Sequence, residues 1–139
     1  MWGKIAVAVD SGACAHVTPE NVFSLTTTPT EMSKAGKDVY GADGGVIKNL
    51  GEQVVRGQDV LGEKVDLRFD VASKLTRPLA SVFEICEAGN RVVFEKGKGF
   101  IQNIKSGGKA PLRCEKMLCF LDVWLEVPRS ISSSPFVRP

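Results

Sequence analysis

The strongest constraint on the fold is a period-two alternation that recurs in three well-separated segments. Ile5, Val7 and Val9 alternate with Lys4, Ala6 and Ala8. Val65, Leu67 and Phe69 alternate with Asp66, Arg68 and Asp70. Leu121, Val123, Leu125 and Val127 alternate with Phe120, Asp122, Trp124 and Glu126. Every second side chain of a strand points to the same side, so each segment has one strongly apolar face to bury. Shorter strands are predicted at 91–94 and 100–104 around a Glu95–Gly99 hairpin turn, and in Val39–Ile47 two short apolar stretches flank Asp43-Gly44-Gly45, a strong hairpin-turn signal. Helical spacing occurs in Leu79–Ala88, where Leu79, Val82, Phe83 and Cys86 stand at i, i+3, i+4 and i+7 before Gly89-Asn90. So short a helix must lean on tertiary packing. The expected class is all-β, a compact closed barrel or sandwich with one short helix.

Turn chemistry divides the rest. Asp10-Ser11-Gly12 ends the first strand, 26–37 (TTTPTEMSKAGK) reads as a polar surface loop, and Arg56 to Gly62 reads as a turn. Val17 to Leu25 is open between a short strand and a turn of helix. The 139 residues suit one domain, placed at 1–127, followed by a Pro/Ser-rich flexible tail at 128–139. A hydrophobic fraction of 43% argues against a disordered chain. A net charge of +2, from 18 basic and 16 acidic residues, calls for neither nucleic acid nor an anionic membrane. The lysines at 96–98 and 105–109 read as solvated hairpin turns, and one tyrosine makes base-stacking platforms scarce. No apolar run reaches the ~18 residues of a membrane span, and the N-terminus lacks the features of a signal peptide.

The four cysteines, Cys14, Cys86, Cys114 and Cys119, are scattered in a chain large enough to do without staples. Reduced thiols in a cytoplasmic compartment are the expectation. With His16 the sole histidine, a zinc site would have to gather ligands from distant segments, so no metal and no cofactor is expected.

Asp10 is the candidate catalytic residue. It stands where an apolar strand breaks into a tight turn, and there backbone amides and the Ser11 hydroxyl can hold a carboxylate. The segment Val7-Ala8-Val9-Asp10-Ser11-Gly12-Ala13 resembles the active-site segment of the retropepsins, the aspartic proteases of retroviruses and retrotransposons. Tyr40-Gly41-Ala42-Asp43-Gly44-Gly45-Val46-Ile47 resembles that family's glycine-bearing hairpin flap, and Pro78-Leu79-Ala80-Ser81-Val82 its second loop opening a short helix. Gly89-Asn90-Arg91-Val92-Val93-Phe94 resembles the strand that follows in copia-type members. The four segments occur in family order and span roughly residues 5–127. Three positions depart from the pattern. Ser81 stands where retroviral members have Gly, Cys14 where many carry a second Asp, and the flap tip at Asp43 is more acidic than usual.

The resemblance implies an aspartic endopeptidase acting on extended peptide or polyprotein segments, and a two-fold homodimer. Peptide hydrolysis by carboxylates needs one ionised group to deprotonate water and one protonated group to polarise the carbonyl. The chain carries one Asp-Ser/Thr-Gly. Asp70 lacks the turn glycine and Asp122 lies inside a strand, so a second Asp10 must come from another copy. The implied roles are Asp10 as acid and base, Ser11 as a hydrogen bond across the axis, and Gly12 as room for the substrate backbone. Ala13, Cys14, Ala42, Asp43, Gly44, Gly45, Ile47, Leu79, Ala80 and Ser81 are the implied substrate contacts. The strand 118–127, with Phe120 and Trp124, is the candidate dimer seam. A serine-hydrolase reading of Asp10, Ser11 and His16 fails because adjacent Asp and Ser cannot both address one imidazole, and G-x-S-x-G is absent. The remaining alternative is an inactive peptide-binding scaffold of the same fold.

Overall fold

The computed structural model describes residues 2–36, 39–40 and 46–126. Residues 41–45, where the flap tip with Ala42, Asp43, Gly44 and Gly45 was expected, lie outside them, as do Val127 and the expected tail at 128–139.

The described residues of each alternating segment lie in one nine-residue strand. β1 (Trp2–Asp10) runs antiparallel to the last strand, with Val7 opposite Leu121 and Ile5 opposite Val123. β2 is only Val17–Thr18, α1 is one turn (Glu31–Lys34), and β3 (Val39–Tyr40) pairs with β4 (Val46–Ile47) in a separate two-stranded ribbon. β5 (Asn49–Gln58) and β6 (Lys64–Ala72) make the longest hairpin. β7 (Leu79–Ser81) leads into α2 (Val82–Glu87), followed by β8 (Asn90–Glu95), β9 (Lys98–Asn103), β10 (Lys109–Glu115) and β11 (Leu118–Glu126). The order β1-β7-β2-β6-β5-β11, with β11 returning to β1, closes a ring of strands, and β10, β9 and β8 extend outward from β11. Inside lie Val7, Val9, Phe69, Leu121 and Val123 from the alternating segments and Val55 from β5, with Phe23, Ala80, Ile85 and Leu112. Closure suits an all-β chain because it leaves no free edge in the ring.

Several expectations change. Leu79 does not start the helix: Leu79–Ser81 pairs in parallel with Ala8–Asp10, and Ser81 is the N-cap, its Oγ accepting from the Glu84 N–H at 3.2 Å. The buried helical residue is Ile85, while Phe83 and Cys86 are exposed, so the helical face inferred from spacing is displaced. β5 runs on through Gln58, and the turn is confined to the residues after it, where Asp59 Oδ1 accepts the N–H groups of Leu61 and Glu63. The loop at 26–37 contains α1, held by a Thr30–Ser33 capping box, and a bridge from Thr28 to Glu52. Cys114 and Cys119 are joined in a disulfide, not reduced: a two-residue turn at Lys116-Met117 sets them directly opposite across β10 and β11. β11 is hydrogen-bonded to β1 on one side and to β10 and β5 on the other. Its outward aromatic rings are covered by cations, Arg113 over Phe120 at 4.9 Å and Lys4 over Trp124 at 5.9 Å.

Gly57 is where the ring closes. A Cβ there would lie 2.5 Å from the Trp124 carbonyl oxygen and within 3 Å of Leu125 and Val123 side-chain atoms. The seam beside it is a single register pair, Trp124 with Gln58. Gly57→Ala is expected to cost about 1–3 kcal/mol or more, measured by urea unfolding, because backbone on one side and packed core on the other must yield together.

Candidate active site

β1 delivers Asp10 to the end of the ring, where Ser11 and Gly12 turn the chain away. The Gly12 N–H donates to Asp10 Oδ1 at 2.8 Å, and the Ala13 N–H reaches back to the Asp10 carbonyl at 3.5 Å. One carboxylate oxygen is thus held by the turn. Ser11 and Gly12 are exposed and Asp10 is half-buried.

Asp10 and Ser11 border an open cleft of about 630 Å³. Of the residues expected to contact substrate, Leu79 also lines it, half-buried beside Ala8 and Val9. Its other wall was not foreseen. It comprises Phe94 and Glu95 from the β8–β9 tip, Met117 and Leu118 from the β10–β11 tip, the Cys114–Cys119 disulfide, and Arg77. Met117 is 97% exposed, and Phe94 and Leu118 are close to half exposed. These residues are remote in sequence, and only the pairing of β11 with β1 brings their hairpins to Asp10.

Ala13 and Ile47 are half-buried, and Cys14 is an exposed free thiol. Ala80 and Ser81, expected as substrate contacts, are both fully buried in the single chain. Ala80 belongs to the core, and Ser81 Oγ donates inward to the Ala13 carbonyl at 2.8 Å. Ser81 therefore places a hydroxyl under the Asp10 turn. His16 is buried behind the same turn, its Nδ1 accepting from the Ser81 N–H at 2.9 Å and its Nε2 lying 3.3 Å from Glu84 Oε2. Burial lowers the His16 pKa, and the charges of Glu84 and Asp70 oppose that shift. Asp70 itself is raised, first by burial.

Beyond the cleft, Arg113 grips Asp122 with two hydrogen bonds of 2.9 and 3.0 Å across β10 and β11, and also pairs with Glu115. The Arg113 hydrogen bonds hold the Asp122 carboxyl below its ordinary range. A group depressed in the folded state contributes stability above its unfolded pKa and loses it as pH falls through the folded value. This link between the two strands therefore withstands mildly acidic conditions.

Among the described residues, no three His, Cys, Asp or Glu side chains gather as a metal site, and no helix is long and apolar enough to cross a membrane. Comparison with protein-family models, with curated proteins and with solved structures finds no match.

Proposed function

We propose that this chain is an aspartic endopeptidase that hydrolyses extended peptide segments, polyprotein substrates being the kind the resemblance implies, with Asp10 from each of two identical chains forming one dyad. The observation that carries the reading is Asp10 itself. It ends a core strand in an Asp-Ser-Gly turn, with one oxygen fixed by the Gly12 amide, and it borders an open cleft. The exposed apolar rim of Phe94, Met117 and Leu118 beside it supports a face that a second copy covers.

Two carboxylates about 3 Å apart cannot both ionise, so they share a proton, an effect for which aspartic proteases are themselves the type case. The pair then titrates as a unit. The ionised member takes a proton from water, and the resulting hydroxide oxygen bonds to the carbonyl carbon. The protonated member gives its proton to the carbonyl oxygen. In the tetrahedral adduct one carboxyl passes a proton to the amide nitrogen, the C–N bond breaks, and an acid and an amine leave. Ser11 from each chain, exposed beside its Asp10, holds the two carboxyl groups coplanar. The flap that the resemblance implies, from about Tyr40 to Ile47, closes on the extended substrate by strand addition.

The test combines turnover of an apolar peptide library with sedimentation equilibrium. Specific activity is expected to rise with protein concentration in step with the dimer fraction, to survive a chelator, and to be blocked by a statine-type mimic. A chain that stays monomeric at every concentration while cleaving would sink the dyad. Peptide binding with no turnover would instead favour the scaffold.

A further inference from the structure

Two buried connections join the Asp10 turn to the start of α2. Ser81 lies opposite Asp10 in the parallel β1–β7 register, and its hydroxyl donates to the Ala13 carbonyl at 2.8 Å. Its amide N–H donates to His16 Nδ1 at 2.9 Å. Accepting there requires an unprotonated Nδ1, which leaves the ring proton on Nε2, facing Glu84 Oε2 at 3.3 Å. The main chain of His16 is fixed as well: its N–H donates to Glu84 Oε2 at 3.2 Å, and its carbonyl accepts from the Asp70 N–H at 2.9 Å. The ring packs on Phe69 at 5.8 Å and is 8% exposed. Neither His16 nor Glu84 lines the cleft that Asp10 borders.

We propose that His16 is a positioning residue: its neutral Nδ1 latches Ser81, Ser81 latches Ala13, and protonation of the ring releases the Asp10 turn and sets an acid limit on activity. This rests on the endopeptidase reading above. A proton on Nδ1 would set two donors, Nδ1–H and the Ser81 N–H, against each other in a buried space, and such a contact cannot stand. The charged groups facing the ring are Glu84 from α2 and Asp70 from β6; Asp70 is paired in turn with Arg68 at 3.7 Å, and Arg68 also holds Glu52. Both carboxylates favour the protonated ring, and burial opposes it with the larger effect. The unfolded chain binds the proton near the ordinary pKa of 6.5, whereas the folded chain resists it. The latch therefore contributes stability that is whole above that value and fades as pH falls toward the lower folded one. An acid dyad working against a latch that opens in acid gives a bounded window of activity.

The variants separate the atoms. In His16→Asn the side-chain Oδ1 falls where Nδ1 stood, and it accepts from Ser81 without titrating. In His16→Gln the amide extends to the Nε2 position and leaves the Ser81 N–H unpaired, and His16→Ala removes both. His16→Asn is expected to retain activity within a few-fold of wild type and to lose the acid limb that His16 imposes. His16→Gln and His16→Ala are expected to drop kcat by about 10²-fold with KM little changed, the penalty of a misplaced catalytic group. NMR titration of the wild-type imidazole, read with hydrogen exchange at the Ser81 amide, gives an answer independent of turnover: Ser81 protection should fall as His16 takes its proton. An unchanged acid limb in His16→Asn, equal kinetics for His16→Asn and His16→Gln, or Ser81 protection indifferent to the His16 titration would each overturn the proposal. Should no form of the protein cleave peptides while Ser81 still follows His16, the endopeptidase reading fails and the latch stands.

Discussion

Asp10→Asn is expected to abolish peptide cleavage while leaving fold and dimer intact. Asparagine keeps the shape of the side chain, and its Oδ1 still accepts the Gly12 N–H that fixes Asp10 at 2.8 Å. What it cannot do is take a proton from water or hold one for the carbonyl. Loss of a positioned acid–base group costs about 10²–10⁴ in rate, and here the substitution removes both members of the dyad, so the upper end of that range applies. Circular dichroism and sedimentation should be those of wild type. A mixing experiment sharpens the test. If Asp10→Asn chains re-assort freely with an equal amount of wild type, only about a quarter of the dimers carry two acids, as follows from random pairing across a two-fold axis. Activity per wild-type chain then falls by about half. Activity that stays strictly proportional to the wild-type chain would mean each chain works alone, and the dyad would have to be abandoned.

Sequence made some of this legible and hid the rest for definite physical reasons. The alternation of Val7 and Val9, of Leu67 and Phe69, and of Leu121 and Val123 exposed the three main strands, because strand facing is a local property. The Asp10-Ser11-Gly12 turn was equally local. The strand at Leu79–Ser81 was not, since its cause is the parallel pairing of Ala8 with Leu79, two residues far apart in the chain. Helical spacing from Leu79 onward was real as a pattern, but its first member was taken by the sheet, and the buried position shifted to Ile85. Cys114 and Cys119 were expected as reduced thiols, and it is the two-residue turn at Lys116-Met117 that sets them face to face. The same holds for the site. The acid was readable, while Met117, Phe94 and the His16–Ser81–Glu84 cluster depend on which hairpins and loops the closed ring brings together. The lone histidine, six residues after the lone Asp-Ser-Gly aspartate, was the one available signal for the latch.

Phe69→Ala is the substitution expected to cost most in stability, and it shows how the site depends on the core. Phe69 is fully buried, stacked against Phe23 with ring centroids 5.1 Å apart and against His16 at 5.8 Å. Truncating a buried phenylalanine removes its transfer free energy and leaves a cavity that a closed ring of strands cannot collapse, a loss of about 3–5 kcal/mol. Against a total of roughly 5–15 kcal/mol for a domain, that brings the variant close to unfolding at physiological temperature. The midpoint of thermal unfolding should fall by roughly 10–20 °C. Phe83→Ala supplies the contrast within the same chain: the residue is 61% exposed on α2, so truncation should change stability by less than about 0.5 kcal/mol. The two variants share their chemistry and differ only in burial. If Phe69→Ala lost less than about 1 kcal/mol in urea, the strands could not be closed around it as described. Because Phe69 also backs the His16 ring, a folded Phe69→Ala protein should lose turnover more steeply in acid than wild type. The ring that holds the Ser81 amide would then have lost the wall it leans on, and water admitted to the cavity would ease its protonation.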